Sequence, residues 1–279
     1  MITLNTVSII VPCYNNQDTI IETLESILQQ THQNIELIVV NDGSKDYSKN
    51  VIEDFISKNT NEKIIFINQE NQGPSKARNN GAKIATGMYL VFIDADDLIN
   101  PNYIAKCLVV YEKNNTLNIV YSEVELFDAE KGKWELDEFK LPHFLFYNCI
   151  PIFAMIKTSV FNELGGFDEH LSFTEDWELW IRIVKDYGGV YKIPEILFYY
   201  RKRLNKSSLS DNMDINSNAE KSRAYIYYKH YEFYSNYKMD LISLYYCYDN
   251  LKHFQKYKGK YYSIWYKKLF YGLKKYIRK

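Results

Sequence analysis

Four short runs rich in Ile and Val recur along the first hundred residues: VSIIVP from Val7, IELIVVNDGS from Ile35, KIIFIN from Lys63 and YLVFIDADD from Tyr89. Nothing else in the chain restricts its fold as strongly. VSIIVP, a continuous β-branched run ended by Pro12, is the pattern of a strand buried on both faces; a strand with one wet face would alternate. After it, Asn16 is placed to cap a helix whose apolar positions Ile20, Ile21, Leu24, Ile27 and Leu28 share one face. Pro74 opens another helix, through about Thr86. Pro101 occupies a favourable first helical position before one that reaches Asn115. Such alternation predicts an α/β fold with a parallel central sheet flanked by helices, where ligands bind outside the carboxyl ends of the strands. Three of those ends read PCYNN, NDGSKD and DADD.

Beyond Asn118 the pattern becomes α+β. NIVYSEVELF reads as a strand, a hairpin is expected near Lys131 to Lys133, and an apolar segment spans residues 150–156. SFTEDWELWIRIVKDYGG restores helical periodicity, with Trp177, Trp180, Ile181 and Val184 on one face and Gly188 as a stop. KIPEILFYYR reads as one or two short strands. Residues from about 202 to 222, including NKSSLSDNMDINSN, read as a polar linker, and the Tyr-rich remainder as a helical extension.

Composition narrows the function. With 279 residues, 46% of them hydrophobic, the chain can bury a sizeable core. Its net charge of -1 argues against nucleic acid as partner. From Lys252 onward there are ten Lys or Arg and no Asp or Glu, so a basic tail follows an acidic body. The four cysteines are far apart and form no C-x-x-C, which fits a reducing cytoplasm and neither a zinc cluster nor a disulfide framework. The first residues lack a basic signal-peptide region, and the longest apolar stretch is too short to span a bilayer, so neither a signal peptide nor a transmembrane helix is expected. In the tail, Tyr262, Trp265, Tyr266, Leu269, Phe270, Leu273, Tyr276 and Ile277 fall on one helical face, opposite Lys267, Lys268, Lys274, Lys275 and Arg278. Two uses for residues 261–279 stay open: lying in an anionic membrane interface at the inner face of the plasma membrane, or packing on the body or on a second copy in a homodimer.

The polar strand ends are where chemistry is expected. VPCYNNQDT contains no glycine, which disfavours both a dinucleotide-binding turn and a P-loop. NDGS reads either as a turn with Asp42 capping a helix, or as a strand-end carboxylate for a base or ribose. Asp97 suits the first turn of the following helix, whereas Asp94 still belongs to the strand end. Two carboxylates one residue apart, Asp94 and Asp96, favour a hard cation, Mg²⁺ or Mn²⁺, with phosphate oxygens completing its shell. Glu175 and Asp176 read by themselves as a good helix start after Thr174, while the glycines of GGFDE upstream suggest a loop over a site.

Taken in order, VSIIVPCYN, LIVVNDGSKD, NQGPSKARNNG, FIDADD, LGGFDE and TEDWELWIR resemble family-2 glycosyltransferases of the GT-A fold, over about residues 7–210. The resemblance implies a Rossmann-like, mostly parallel sheet in a catalytic domain at 1–205, with a nucleotide-binding half at 1–100 and an acceptor half at 101–205. A linker at 206–222 and a C-terminal helical extension at 223–279 would follow. It implies Pro12, Tyr14 and Asn15 at the base and ribose, Asp42 on uracil, Gly73 and Arg78 along the nucleotide and phosphates, and Asp94 and Asp96 on ribose, donor sugar and metal. It also implies Asp176 as catalytic base, with Gly166, Asp168, Glu175 and Trp177 around the acceptor and sugar. The expected activity is inverting, metal-dependent transfer of a hexose from a UDP-linked donor to a hydroxyl of a glycan or lipid-linked acceptor, in bacterial surface polysaccharide synthesis. Many members carry Tyr-Arg-x-His-x-x-Ser after the last strand, but this chain reads YRKRLNKSS with Arg203 at the His position. Arginine cannot ligate a cation, which leaves a bidentate grip on the diphosphate or a solvated loop. A sugar nucleotidyltransferase would want a Gly-rich basic loop after the first strand. A catalytically silent glycan- or membrane-binding module would not need Asp94, Asp96 and Asp176 together.

Overall fold

The alternation of the first half forms the expected sheet. The computed structural model describes residues 6–171, 173–203 and 215–240. In it β1 (Val7–Cys13), β2 (Ile35–Asp42), β3 (Ile64–Gln69) and β4 (Tyr89–Phe92) run parallel in the order β3-β2-β1-β4. Val7, Ile9, Ile10 and Val11 are fully buried, each contributing roughly 1.5–3 kcal/mol by leaving water. The connecting helices α1 (Ile20–Leu28), α2 (Ser48–Lys58) and α3 (Pro74–Ile84) cover this sheet, with Ile20, Leu24 and Ile27 of α1 and Ile52 of α2 turned into the core.

Two helix starts differ from expectation. The Asn16 side chain does not cap α1; its main-chain carbonyl accepts from Thr19 and Ile20 instead. After β4 come the two-residue β5 (Leu98–Ile99) and α4 (Tyr103–Lys113). Pro101 therefore lies in the turn before α4, whose Ile104 N–H is satisfied by the buried Gln30 side chain at 3.1 Å.

The second half extends the same sheet with mixed pairing. β6 (Ile119–Asp128), the hairpin strand β7 (Gly132–Trp134), β8 (Met155–Lys157) and β9 (Val190–Lys202) give the order β3-β2-β1-β4-β8-β6-β9-β5, with β7 on β6. β9 is one strand of 13 residues despite Pro194. Its parallel register on β6 steps from Ser122↔Ile193 to Glu123↔Ile196, so Pro194 and Glu195 fall in a bulge where a missing N–H breaks no ladder bond. This length matters for the site: β9 pairs with β5 at Tyr199 and Phe198, which carries Arg201 and Arg203 to the acidic turn that precedes β5.

α5 (Thr158–Glu163) and α6 (Glu175–Asp186) pack on this half, α6 burying Trp177, Trp180, Ile181 and Val184 as the periodicity predicts. α7 (Ile215–Lys229) begins inside the stretch expected to be linker, and α8 (Tyr231–Asn236) follows. The chain divides into two units, Met1–Ile226 and Tyr227–Lys279, later than the expected boundary. Residues 261–279 lie outside the described residues. Among those described, no helix is long and apolar enough to cross a membrane.

Candidate active site

At the mouth of β4 the three aspartates meet arginines. Arg78, on the buried face of α3 and only 5% exposed, donates through Nη2 to Asp94 Oδ1 and through Nη1 to Glu175 Oε1, both at 2.6 Å. Burial alone would lower the Arg78 pKa, but the charges of Asp94 and Glu175 raise it, so the guanidinium stays charged. Asp96 Oδ2 receives Arg203 Nη2 at 2.8 Å, and that same nitrogen reaches Asn16 Oδ1 in the loop after β1. Burial first, then the charge of Asp94, lift the Asp96 pKa, while Arg203 and Arg201 oppose the rise.

Asp97 does not cap a helix. It is 1% exposed, its Oδ1 accepts the Arg201 main-chain N–H at 2.9 Å, and its Oδ2 is buried without a partner among the described residues. Burial, then the charges of Asp96 and Asp94, push its pKa well above the carboxylate range and favour the neutral acid. Arg201 ties this turn down: its Nε donates to the Asp96 carbonyl at 2.8 Å, its Nη atoms pair with Asp128 and Glu22, and its guanidinium lies 4.4 Å from the Phe127 ring centroid.

Asp176 faces this cluster from the first turn of α6. Thr174, in the left-handed region at φ 63°, leads into the helix; its hydroxyl bonds the Phe173 carbonyl and caps nothing. A β-branched residue in that region is strained, and the strain sits where the chain turns into the site. Asp176 Oδ1 accepts the Trp177 N–H at 2.7 Å and Oδ2 accepts Asn148 Nδ2 at 2.9 Å. Burial, then the neighbouring Glu175 charge, push its pKa up to about 7. Asp176 lines a cavity of about 190 Å³ together with Asp97, Asn148, Trp134, Phe153 and Tyr200. The Trp134 and Tyr200 rings, 5.0 Å apart, form an aromatic wall. Asp97 alone of the acidic turn lines this hollow with Asp176, and the Glu175–Arg78–Asp94 ion pairs tie the start of α6 to the turn.

The remaining expected residues divide into two groups. Tyr14 is 41% exposed beside β1, and Asn15, at φ 55°, exchanges hydrogen bonds with the NDGSKD loop: its N–H donates to Ser44 Oγ and its Oδ1 accepts from Lys45 N. Pro12 sits in β1 opposite Val40. Asp42 is 3% exposed and accepts from Gln69 Nε2, Gln72 N and Gly73 N at 2.8, 2.8 and 2.9 Å. It braces the loop before α3 and caps no helix; the Ser48 N–H at the start of α2 donates to Asp46 Oδ1 at 3.0 Å instead. Gly73, at φ 88°, makes the turn into α3 that a side chain would strain.

Gly166, Asp168, Glu175 and Trp177, expected around the acceptor, do not line the cavity. Gly166, at φ 78°, packs so closely that an added Cβ would lie 2.6 Å from Asn79 Oδ1. Asp168 accepts from the His170 and Tyr225 side chains and main chain nearby, bracing that loop. Trp177 is 4% exposed, with its indole N–H on the Phe144 carbonyl at 3.0 Å. Instead the cavity uses Asn148, Trp134 and Tyr200, which no sequence motif marks; Arg201 was visible only as a neighbour of Arg203.

Asp94 and Asp96 were the expected ligands for Mn²⁺ or Mg²⁺, and neither is free to take one as it stands. Each carboxylate already faces an arginine, and among the described residues no group of three or more His, Cys, Asp or Glu gathers that could hold a metal.

Comparison with known proteins gives this geometry a context. The sequence profile of glycosyl transferase family 2 matches residues 8–166. A glycosyltransferase of Rickettsia typhi is 35% identical over 210 residues, covering 70% of this chain and 63% of that protein. The minor teichoic acid biosynthesis protein GgaB of Bacillus subtilis is 31% identical over 224 residues, covering 76% of this chain and 24% of that one. The chain thus spans less than two thirds of the length of its first relatives. Among solved structures, Staphylococcus aureus TarS 1–349 in complex with UDP matches with a TM-score of 0.62 at 20% identity, over 71% of this chain and 60% of that one. The mannosyltransferase PcManGT of Pyrobaculum calidifontis, in complex with GDP-Man and Mn²⁺, matches at 0.56 and 20% identity, over 70% and 56%. At such identities the structures establish the shared GT-A fold.

Proposed function

Because the chain belongs to glycosyltransferase family 2, we propose that it moves a sugar from a nucleoside diphosphate, UDP by preference, to a hydroxyl of a glycan or lipid-linked acceptor with inversion at the anomeric carbon. The observation that carries this reading is Asp176. A carboxylate held by Asn148 and a main-chain N–H, with a pKa near 7, in a cavity beside the acidic turn, is suited to general-base work at neutral pH.

In the step proposed, the acceptor oxygen attacks the anomeric carbon and its proton passes to Asp176. The bond from that carbon to the β-phosphate oxygen breaks, and its electron pair leaves with the diphosphate. Asp176 and Asn148 orient the acceptor; Trp134 and Tyr200 offer aromatic faces to its sugar ring. Arg78 holds Asp94 and Glu175 so that donor and acceptor sides keep their spacing, which near-attack geometry requires. With one base and, among the described residues, no side chain placed as a nucleophile, a single displacement is the expected course. TarS with UDP and the teichoic acid protein GgaB support the choice of donor and of a surface polymer. The basic aromatic tail at residues 261–279 supports contact with an anionic membrane face on the cytoplasmic side, where a lipid-linked acceptor would be presented.

Incubation of the full chain with a panel of nucleotide sugars and glycan or lipid-linked acceptors tests the reading, with the anomeric configuration of the product read by NMR. Transfer from a UDP sugar with inverted configuration is expected. A product with retained configuration would refute the single displacement, and release of inorganic pyrophosphate would indicate a nucleotidyltransferase.

A further inference from the structure

At the mouth of β4 two of the three aspartates are paired with arginine side chains. Asp94 is met by Arg78 at 2.6 Å and Asp96 by Arg203 at 2.8 Å, while Arg201 grips the main chain of the same turn through the Asp96 carbonyl. Resting on the nucleotide-sugar reading above, we propose that Arg203 takes the place of a divalent ion on the donor diphosphate, so that nucleoside diphosphate binding and sugar transfer proceed without a metal.

Placement is the first argument. Arg203 follows β9 directly and bridges the turn after β4, through Asp96, to the loop after β1, through Asn16. Both segments lie at carboxyl ends of the sheet, where an α/β fold receives its ligand. A diphosphate arriving there would meet two like-charged carboxylates, and a cation must stand between; the guanidinium already does.

The second argument is an unused donor. Arg203 Nη2 serves both Asp96 and Asn16, whereas Arg203 Nε is buried and has no acceptor among the described residues. A desolvated N–H without a partner is an unfavourable state that an incoming phosphate oxygen would relieve. Guanidinium is suited to this because its donors form a rigid planar fork that can hold one anion on one edge and a second on another. Its side chain is 22% exposed, enough for a ligand to reach it and too little for bulk water to weaken the contact fully.

Charge repulsion supplies the third argument. A divalent ion at Asp96 would have to displace Arg203 or lie beside a fixed positive charge. The other expected ligand, Asp94, is committed to a buried arginine that also serves Glu175, so freeing it would leave the Nη2 of that buried guanidinium without its acceptor. The guanidinium would stabilise the charge that develops on the diphosphate as the anomeric bond breaks.

Calorimetric titration of the full chain with UDP, in EDTA and then in Mn²⁺, tests this. Equal dissociation constants within about twofold are expected in the two conditions. Arg203→Met keeps the aliphatic stem and removes the fork; in EDTA it is expected to bind UDP about 10- to 100-fold more weakly, the range for a charge-assisted hydrogen bond. Arg203→Lys, which keeps the charge without the fork, should fall between the two. Wild-type binding that disappears in EDTA and returns with Mn²⁺ overturns the inference and leaves the nucleotide-sugar reading intact, whether or not any variant folds. Undiminished binding by a folded Arg203→Met protein overturns it as well. If neither condition gives binding of UDP, GDP or dTDP, the nucleotide-sugar reading falls, and this inference with it.

Discussion

Replacing Asp176 by asparagine separates its two properties, proton acceptance and an ionisation held back by burial. Asn148 and Trp177 N–H both donate to its carboxylate, and burial with the Glu175 charge carries its pKa from 3.8 to about 7. Because the folded value is raised, the stability linked to this group is fully present below pH 4 and is lost as pH rises through 7. From a folded pKa near 7 and an unfolded one near 3.9, the wild type should lose about 2 to 3 kcal/mol relative to Asp176→Asn between pH 5 and pH 8. The new amide would point its NH₂ at Asn148 Nδ2 and cost about 1 to 3 kcal/mol. That cost is the same at both pH values and cancels in the comparison. Urea unfolding of both proteins at pH 5 and pH 8 measures the difference. In the same samples, turnover by Asp176→Asn should drop by about 10² to 10⁴ with nucleotide binding unchanged, and wild-type turnover should rise with pH to a plateau above about 7. Parallel stability curves for the two proteins would refute the raised pKa, and undiminished turnover would remove Asp176 from proton transfer.

Three further outcomes are expected. Arg78→Met leaves the Asp94 and Glu175 carboxylates without their shared cation, and should destabilise the fold by about 3–5 kcal/mol in urea titrations; a loss below 1 kcal/mol would show that the bridge does not hold the two sides together. Trp134→Ala should raise the acceptor KM about threefold to tenfold, the value of one aromatic face, while donor hydrolysis without acceptor stays unchanged; equal effects on both reactions would place the ring elsewhere. Truncation before Tyr261 should abolish co-sedimentation with anionic liposomes; unchanged sedimentation with an altered oligomeric mass would favour packing on a second copy.

The expectation of a cation at DADD shows how far reading along the chain reaches. Carboxylates crowded at a strand end do need counter-charge, and that much follows from spacing. What supplies it depends on residues 16 positions away in Arg78 and far beyond local range in Arg203, whose distances to Asp94 and Asp96 only the folded sheet sets. Asp97 illustrates the same limit: as a sequence it suits the first turn of a helix, but β9 lays its main chain across it and seals it from water. Asp42 was expected on a ligand or at a helix cap and is occupied with the loop before α3. Asn148, Trp134 and Tyr200 come from three separate segments, so no spacing rule could join them.

By itself the amino-acid order determined the alternating strands and helices, the parallel first half, the polar strand ends and the face of α6, because hydrophobic periodicity and turn chemistry act over a few residues. Tertiary structure decided which charges pair, which acids lose water and which rings enclose the hollow beside Asp176. Desolvation and Coulomb interaction depend on what lies within a few ångströms in space, and β9 brings Arg201 and Arg203 to the DADD turn from more than a hundred residues away.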